Sequence, residues 1–452
     1  MGRKRALPLD GILVADFSRV LAGPLCTQLL GDWGARVIKV EEPGRGDETR
    51  RWGPPFVGDV SAYFLSINRN KESIAIDLKS EEGAEIARRL IERADVVVDN
   101  FLPAQKESLH FAPREINPRV VHCTIAGFDS DTDDANTPGY DLLAQAGSGL
   151  MSITGDADGE PMKIGVALAD VLTAHYAFGA ICAALRAGEG ASIEVSLFSA
   201  TVASLANVAQ NVLVTGKEAA RYGNAHPSIV PYQAFHGSDR MFAIGVGTDR
   251  HFAQLCERVL RRPELVLDER FATNTQRVKY REVLVAILDD AFRERTAAQW
   301  VARCRRAAIP ASLVRGVREA LRTPAARALV ASVNHPEIGE YDAIRNPVRI
   351  DSERLDIGSP PPSLGQHTDA IVRELKAGLR RSVGVPPATD GRPRPAGVSG
   401  FKSRIGVDSR PTVGRDATPD AGEDARATSA SNTKKSGARN SPPSRPPARR
   451  SR

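Results

Sequence analysis

The residue best placed to do chemistry in this sequence is a carboxylate. It lies where a short apolar run meets a long apolar segment. Asp170 follows the run Ile164–Leu168 and precedes Val171–Leu185, so the spacing predicts a strand that leads into a helix. Aspartate is a favoured N-cap residue, because its side-chain oxygen accepts a free backbone N–H of the first turn. The helix N-terminus also favours the ionised carboxylate, the form that a nucleophile needs. Capping and nucleophilic catalysis are therefore both compatible with Asp170.

A Gly-Ser-Gly turn shortly before this carboxylate is a second candidate for chemistry. Gly147, Ser148 and Gly149 could bring backbone N–H groups close to an acyl oxyanion, because glycine permits a tight approach. A purely structural turn is the alternative for this tripeptide. Tyr140 lies just upstream and is a candidate for the same pocket.

Basic residues concentrate in the loops that follow the first predicted strands. Such loops are where parallel sheets bind ligands, and Lys and Arg suit phosphate groups. A solvated, charged face is the alternative interpretation. The residues are Arg45, Arg50, Arg51, Arg69, Lys71 and Lys79.

The elements that would position these residues alternate between strand and helix. Each predicted strand is short and apolar, and most are followed by a segment of helical periodicity, which indicates an α/β fold with a parallel sheet. The predicted strands are 12–17, 36–40, 73–78, 95–98, 120–125 and 192–197, and the predicted helices are 24–33, 80–94, 171–185 and 198–215.

The pattern changes twice along the chain. After Gly216 it becomes loop-like, with a strand over 241–246 and helices over 250–260, 283–293 and 297–307, which indicates a second, smaller α/β domain. From Val383 to Arg452 the chain has few large apolar side chains and is rich in Pro, Ser and Arg, so a disordered tail is predicted.

Charge and cysteine content limit the classes of function. The tail holds 14 Lys and Arg against 6 Asp and Glu, a net charge of +8. Because the whole chain carries +6, the residues before the tail carry −2. A nucleic-acid function would therefore concern the tail alone. The five cysteines are widely spaced and form no CxxC pair, which predicts a reducing, cytoplasmic location without a disulfide framework or metal site. No membrane span is predicted.

Several ordered segments resemble one known family. These are DFSRVLAGPLCTQLLGDWGARVIKVEEPGRGDETR, GYDLLAQAGSGLMSITGDADGEPMKIGVALAD, RYGNAHPSIVPYQAF and PPPSLGQHTDAIVREL, and they cover roughly residues 7–380. They are similar to the family III CoA transferases, of the CoA-transferase and α-methylacyl-CoA racemase superfamily. The resemblance implies that Asp170 attacks an acyl-CoA thioester to give a mixed anhydride, which CoA then converts to an aspartyl-CoA thioester. It implies acyl-CoA and carboxylic-acid substrates.

The resemblance also implies an architecture and a set of contacts. A large Rossmann-like domain (1–215 and 326–382) would enclose the smaller domain (216–325), and two chains would interlock as rings in a homodimer. No metal or redox cofactor is implied, since CoA is carried by the substrates. The CoA contacts implied for this sequence are Ala22, Arg50, Lys79, Asn100 and Phe101.

This sequence departs from the family at three places. Some members have Gln in VQAGP, where this chain has Leu21, and Arg shortly after NFxPG, where it has Ser108. The glycine-rich loop of formyl-CoA transferases has no counterpart between Gly223 and Ala234. These differences argue against formyl-CoA:oxalate exchange and leave the acyl groups open.

Two alternatives follow from the same residues. The α-methylacyl-CoA racemases pair the Asp with a His in a GHD sequence, whereas this chain has Gly139-Tyr140-Asp141, and tyrosine, with an ordinary pKa near 10, is a poor second acid–base group. Neither His122 nor His175 lies in that motif. A non-catalytic protein that binds polyanions through its basic tail is the alternative of another class, but the tail lacks interleaved aromatic residues.

Overall fold

The computed structural model describes residues 6–377 of the chain. The strands in chain order are β1 (Leu13–Asp16), β2 (Arg36–Glu41), β3 (Phe56–Val57), β4 (Val60–Ser61), β5 (Lys71–Ala75), β6 (Val96–Asp99), β7 (Val121–Ala126), β8 (Ala191–Ser196), β9 (Tyr232–His236), β10 (Met241–Gly245), β11 (Ala311–Leu313), β12 (Val330–His335), β13 (Gly339–Ile344), β14 (Arg349–Ile350) and β15 (Glu353–Arg354).

The helices occupy most of the chain between these strands. They are α1 (Ala22–Asp32), α2 (Ala62–Ile67), α3 (Glu81–Arg93), α4 (Pro103–Ser108), α5 (Pro113–Ile116), α6 (Asp141–Gly147), α7 (Leu168–Ala187), α8 (Leu197–Ser204), α9 (Ala206–Thr215), α10 (Asp249–Gln254), α11 (Glu264–Leu267), α12 (Asn274–Lys279), α13 (Arg281–Phe292), α14 (Ala297–Arg306), α15 (Val317–Leu321), α16 (Pro324–Arg327) and α17 (Thr368–Lys376). Glu48–Arg51 and Met151–Ile153 form 3₁₀ turns, and Leu255–Leu260 forms a π-helix.

A six-stranded parallel sheet is the centre of the mixed α/β fold. Its strand order is β5-β2-β1-β6-β7-β8, and every neighbouring pair is parallel. Counted along the chain this is the order 3-2-1-4-5-6 of the doubly wound nucleotide-binding folds. The order reverses between β1 and β6, and ligands of such sheets bind outside the carboxyl ends of the strands at that point.

Both faces of this sheet are covered, which explains why its strands are near-continuous apolar runs. One cluster packs α1 and α7 against Val14, Val37 and Val98. The opposite cluster packs α3 and α17 against Ala15, Ile38 and other residues of the same strands. From Val230 onward the chain builds a separate hydrophobic cluster, and it returns to the N-terminal core only at α17.

That separate cluster surrounds the antiparallel sheet β11-β10-β9. Phe242 lies at its centre, with Phe292 stacked edge-on at 5.1 Å between ring centroids and Trp300 at 5.2 Å from Phe292. The division of the chain into domains at 215, 325 and 382 stays a prediction, and the predicted disordered tail, 383–452, lies outside the described residues.

Two predicted elements are wrong. Residues 164–168 form no strand: 164–167 have no regular secondary structure and bend at Gly165 and Val166, and Leu168 is already the first residue of α7. The single helix predicted over 198–215 is two helices, α8 and α9, which meet at a bend of 76°. Ala206, at the junction, has φ +45°, a conformation that an α-helix does not continue through.

Helix α7 is long and apolar enough to cross a membrane by length and composition. In this fold it packs against α1, α6 and α8 and against β7 and β8. Ala169, Thr173, Ala174, Ala177 and Ile181 are buried in those contacts. Helix α7 is therefore a core helix of the α/β unit, and the other side of the helix carries exposed apolar side chains.

Candidate active site

Asp170 lies in the first turn of α7 rather than at its N-cap. The N-cap position is Ala167, which has no capping side chain of its own. Asp141 performs the capping instead, since its Oδ1 accepts the Ala169 N–H at 2.8 Å. The Asp141 carboxylate is itself fixed by Gln145, whose Nε2 donates to Oδ2 at 2.7 Å. The predicted cap was wrong, and the consequence is that the Asp170 carboxylate is free to face a cavity.

The protonation of Asp170 is governed by burial more than by the helix. Burial is the main cause that raises the pKa of Asp170 from the ordinary 3.8 to about 7, and the negative charge of Asp141 raises it further. The backbone N–H of Ala22, which donates to the carboxylate, lowers the pKa. The expectation that the helix N-terminus would keep the carboxyl strongly acidic is thus outweighed, and near neutral pH the group is balanced between its two forms.

The cavity that Asp170 faces has a volume of about 460 Å³. It lies at the carboxyl ends of β1, β6, β7 and β8, beside the reversal of strand order. Five of the site residues predicted from the sequence line it: Ala22, Asn100, Phe101, Tyr140 and Asp170. No histidine lines this cavity among residues 6–377, so a second imidazole acid–base group is not supplied by the described part of the chain.

The loop that delivers the Ala22 N–H is held in an unusual backbone conformation. Val20 has φ +71°, a left-handed value that is rare for a β-branched residue. Three side-chain contacts fix the loop there: Asn100 accepts the Arg19 N–H at 3.1 Å and donates to the Arg19 carbonyl at 2.9 Å, while Asp47 accepts the Val20 N–H at 3.3 Å. Asn100 therefore shapes the loop beside Asp170 as well as lining the cavity.

A second cavity, of about 560 Å³, holds Lys79. It shares Arg19, Phe101 and Gln105 with the Asp170 cavity, so these three residues form the boundary between the two. Ser108 also lines the second cavity. The two cavities therefore adjoin at Arg19, with Asp170 in one and Lys79 in the other.

Arg19 and Glu48 face each other on the wall of the Asp170 cavity. Their side chains form an ion pair with 2.8 Å between Arg19 Nη1 and Glu48 Oε1, and both are about two-fifths exposed. The Arg19 Nε and Glu48 Oε2 atoms are buried and have no hydrogen-bond partner within the described part of the chain. The pair thus places one positive and one negative side chain on this wall of the cavity.

Asp99 anchors a polar cluster below Phe101 that sequence reasoning missed. Its buried carboxylate lies 2.6 Å from His122 Nε2 and 3.0 Å from Lys106 Nζ, and it accepts the Phe101 N–H at 3.1 Å. Thr124 donates to the same carboxylate at 3.2 Å. The only sequence signal was the position of Asp99 at the carboxyl end of an apolar strand, next to Asn100. Arg19 and Asp141 were missed as well, because their roles depend on neighbours remote in sequence.

Other predicted site residues lie elsewhere in this single chain. Arg50 pairs with Glu41 at 2.8 Å, donates to the Pro362 carbonyl at 3.1 Å and stacks 3.8 Å over Phe64. It lines neither cavity. The Gly-Ser-Gly turn closes α6 and likewise does not line the Asp170 cavity: its members are Gly147, Ser148 and Gly149.

The described residues contain no group of three or more His, Cys, Asp or Glu side chains placed to hold a metal ion. All five cysteines are free thiols.

Comparison with known proteins places this geometry in a family. The model of CoA-transferase family III matches residues 9–368. The succinyl-CoA:glutarate CoA-transferase of Mus musculus is 42% identical over 377 residues, which are 81% of this chain and 86% of the mouse protein. The succinate–glutarate CoA-transferase of Agrobacterium fabrum is 39% identical over 387 residues, 82% of this chain and 96% of that protein.

A solved structure agrees with these matches. A CaiB/BaiF family protein from Brucella suis has 40% sequence identity and a TM-score of 0.72, and the match covers 82% of this chain and all of that one. The resemblance inferred from the sequence is confirmed, and of the two activities weighed within the superfamily these relatives support CoA transfer. The chain belongs to CoA-transferase family III and is a CoA transferase.

Proposed function

We propose that this enzyme moves CoA from a dicarboxylic acyl-CoA, such as succinyl-CoA, to a free dicarboxylic acid such as glutarate, with Asp170 as the nucleophile. The observation that carries the mechanism is the Asp170 carboxylate in its cavity, contacted by the Ala22 N–H and flanked by Asn100 and Phe101. The substrate class is supported by the names of the mouse and Agrobacterium relatives.

The proposed reaction proceeds through covalent intermediates on one carboxyl group. Ionised Asp170 attacks the thioester carbonyl, and the C–S bond breaks to give a mixed anhydride and CoA thiolate. The thiolate attacks the aspartyl carbonyl of the anhydride, which releases the donor acid and leaves an aspartyl-CoA thioester. The acceptor carboxylate reverses the second step: it attacks the aspartyl carbonyl of the thioester and displaces the thiolate, which forms a new anhydride. The thiolate then attacks the acceptor acyl carbon, which regenerates Asp170.

The two adjoining cavities suggest how CoA lies in the site. With the thioester at Asp170 and the 3′-phosphate at Lys79, the diphosphate of CoA would pass Arg19 at their boundary. Ser108, where some relatives carry Arg, cannot supply a positive charge to that diphosphate. The Arg19 side chain is about two-fifths exposed, and its planar fork matches phosphate oxygens.

The homodimer is part of the proposal. Helices α6, α7, α8 and α9 adjoin one another and expose apolar side chains that a second copy would cover. Tyr176 on α7 is 51% exposed, and Leu213 and Val214 on α9 are 78% and 73% exposed. Asp170 and Tyr140 belong to the same layer of helices, so the interface would border the active site. The five free thiols support the predicted reducing, cytoplasmic location.

Trapping of the intermediate tests the proposal. The enzyme is incubated with succinyl-CoA, treated with borohydride or hydroxylamine, digested and analysed by peptide mass. We expect the modification on the peptide that contains Asp170, and Asp170→Asn should lose both the modification and transfer to glutarate. Asp158→Asn, a change at an exposed aspartate, is the matched control and should behave like the unchanged enzyme. Transfer retained in Asp170→Asn, or modification of another carboxylate, would overturn the mechanism.

A further inference from the structure

Five arginines surround one cleft in the part of the chain built on the antiparallel sheet, far along the sequence from the catalytic residues. The cleft has a volume of about 460 Å³, and Gln299 completes its polar lining. We call it the arginine cleft, and its arginines are Arg258, Arg261, Arg295, Arg303 and Arg306.

The positive charge of the arginine cleft is not neutralised within the fold. None of its five guanidinium groups has an acidic partner within 4.0 Å among the described residues. The nearby Glu294 faces Arg262, which lies outside the cleft, at 3.9 Å. Burial, and then the charges of Arg295, Arg261 and Arg306, lower the pKa of Arg303. The cleft thus holds like charges that repel one another.

Helix ends compensate only a small part of this charge. Arg258 and Arg261 lie at the C-terminal end of the π-helix 255–260, and Arg303 and Arg306 lie in the last turn of α14, where the helix dipole favours cations. Arg295 directly precedes Thr296, the N-cap of α14, where the dipole does not favour a cation. Each helix end contributes about −0.5 of an elementary charge. Two such ends supply roughly −1 against five positive charges, so a structural role in capping leaves most of the charge unexplained.

Trp300 holds two of the arginines in place. Its indole is buried, donates to the Phe292 carbonyl at 2.7 Å, and lies 5.3 Å from the Arg303 guanidinium and 5.9 Å from that of Arg295. These stacking contacts reduce the freedom that the two side chains would lose on binding a ligand. Because the ring is covered and no aromatic side chain among the described residues lines the cleft, a nucleobase would find no stacking surface in this part of the chain.

We propose that the arginine cleft binds a compact anion with several phosphate groups, of the pyrophosphate or triphosphate type. Arginine forks bind phosphate oxygens in pairs, and several phosphates on one small molecule match the density of positive charge. The site lies outside both cavities of the transfer reaction, so its ligand is additional to the CoA substrate.

Calorimetric titration of the full-length protein with inorganic tripolyphosphate at 0.1 M salt tests the proposal. We expect one saturable site per chain. Arg261→Gln combined with Arg303→Gln should weaken binding by at least tenfold without lowering transfer activity or the melting temperature measured without the anion. The matched control, Arg318→Gln with Arg322→Gln, removes the same charge from exposed positions on and beside α15 and should bind like the unchanged protein.

Four results would overturn the proposal. Absence of saturable binding would show that the cleft is not a site. Equal weakening in both double variants would show that net charge alone drives association, and unchanged binding in the cleft variant would place the anion on another basic segment, such as 383–452. Citrate that binds as tightly as tripolyphosphate would contradict the assignment to phosphate. Melting temperatures recorded with and without the anion provide a second readout, since a ligand of the folded state raises them.

Discussion

Asp170 combines a helix-terminal position with burial, and burial governs its chemistry. A carboxyl with a pKa of about 7 is half ionised at pH 7 and mostly ionised above it, so the first step of transfer should gain rate as pH rises through 7. A less acidic carboxyl is also the stronger nucleophile once it is ionised, which suits attack on a thioester. Burial supplies most of the rise in the Asp170 pKa, and Asp141, which also stabilises the start of α7, adds to it.

Asp141→Asn separates the two roles of Asp141. Asparagine keeps an oxygen for the Ala169 N–H but removes the negative charge beside Asp170. The midpoint of kcat/KM for succinyl-CoA against pH should therefore fall from about 7 by roughly one pH unit. Asp141→Ala, which also removes the cap, should in addition destabilise the fold by about 1 kcal/mol. A midpoint that stays in place or rises in Asp141→Asn would contradict this account of the Asp170 pKa.

Arg19→Gln tests whether this side chain binds the CoA diphosphate. The change removes a hydrogen bond to a charged group, so kcat/KM for succinyl-CoA should fall roughly 10- to 100-fold. It should fall as much for the 3′-dephospho-CoA ester and hardly at all for succinyl-pantetheine, which has no phosphate.

An equal loss with all three thioesters would show instead that Arg19 acts on the acyl group or on the loop. If the loss of kcat/KM disappears when butyryl esters replace succinyl esters, Arg19 binds the second carboxylate of the succinyl group. The Asp170 trapping experiment is independent of all these results.

The elements beneath the active site are joined by buried ion pairs. Asp16 at the end of β1 meets Lys71 of β5 at 3.0 Å, and Lys39 of β2 meets Asp47 at 2.8 Å; all four side chains are fully buried. Burial alone would raise the pKa of Asp16, but Lys71 and the other partners hold it at about 2. The stability that Asp16 contributes is therefore present above its ordinary pKa of 3.8 and is lost as pH falls toward 2.

These pairs also support the loop that approaches Asp170. Lys39 donates to the Ser18 carbonyl at 2.9 Å, and Asp47 accepts the Val20 N–H at 3.3 Å. Lys39 and Asp47, which have no direct role in the reaction, thus stabilise the left-handed conformation of Val20. Such strain persists only where the surrounding structure fixes it.

Lys71→Met should destabilise the fold by about 3–5 kcal/mol, because it leaves the Asp16 carboxylate buried without its nearest positive charge. Urea unfolding measures the loss. Arg88→Met is the control: it removes one positive charge from the exposed pair with Glu85 on α3 and should change stability by less than about 1 kcal/mol. Similar small losses in both variants would show that the Asp16–Lys71 pair contributes little.

At the scale of the whole molecule, helices α6 to α9 expose several large apolar side chains that a second copy would cover. The chain should therefore run in solution at about twice its mass of 48.6 kDa, which light scattering coupled to size exclusion measures. Leu213→Asp combined with Val214→Asp should yield a monomer that has lost transfer activity, because charged side chains resist burial in an apolar interface. Val317→Asp, at a residue equally exposed on α15, should leave the dimer intact. A monomeric unchanged protein would contradict the proposed assembly.

Sequence alone determined most of the architecture. Apolar runs such as that of β6 and the capped, amphipathic pattern of α3 are local signals, and their alternation predicted the parallel sheet and its helices. Motifs retained from the family located Asp170 and the residues Ala22, Asn100 and Phe101, which the structure brings to one cavity. Where the local signal was ambiguous the predictions were wrong: the apolar residues 164–168 carry no strand, and no residue pattern marked the bend between α8 and α9.

Only the tertiary structure decided how the site works. The pKa of Asp170 depends on burial and on Asp141, and the Val20 loop depends on Asp47 and Asn100, which are 27 and 80 residues away. The arginine cleft likewise joins helices that are separate in sequence. Electric fields, desolvation and close approach act through space, whereas a sequence pattern records only neighbours along the chain. The sequence therefore predicted which residues lie in the site, and the tertiary structure determined their protonation and their contacts.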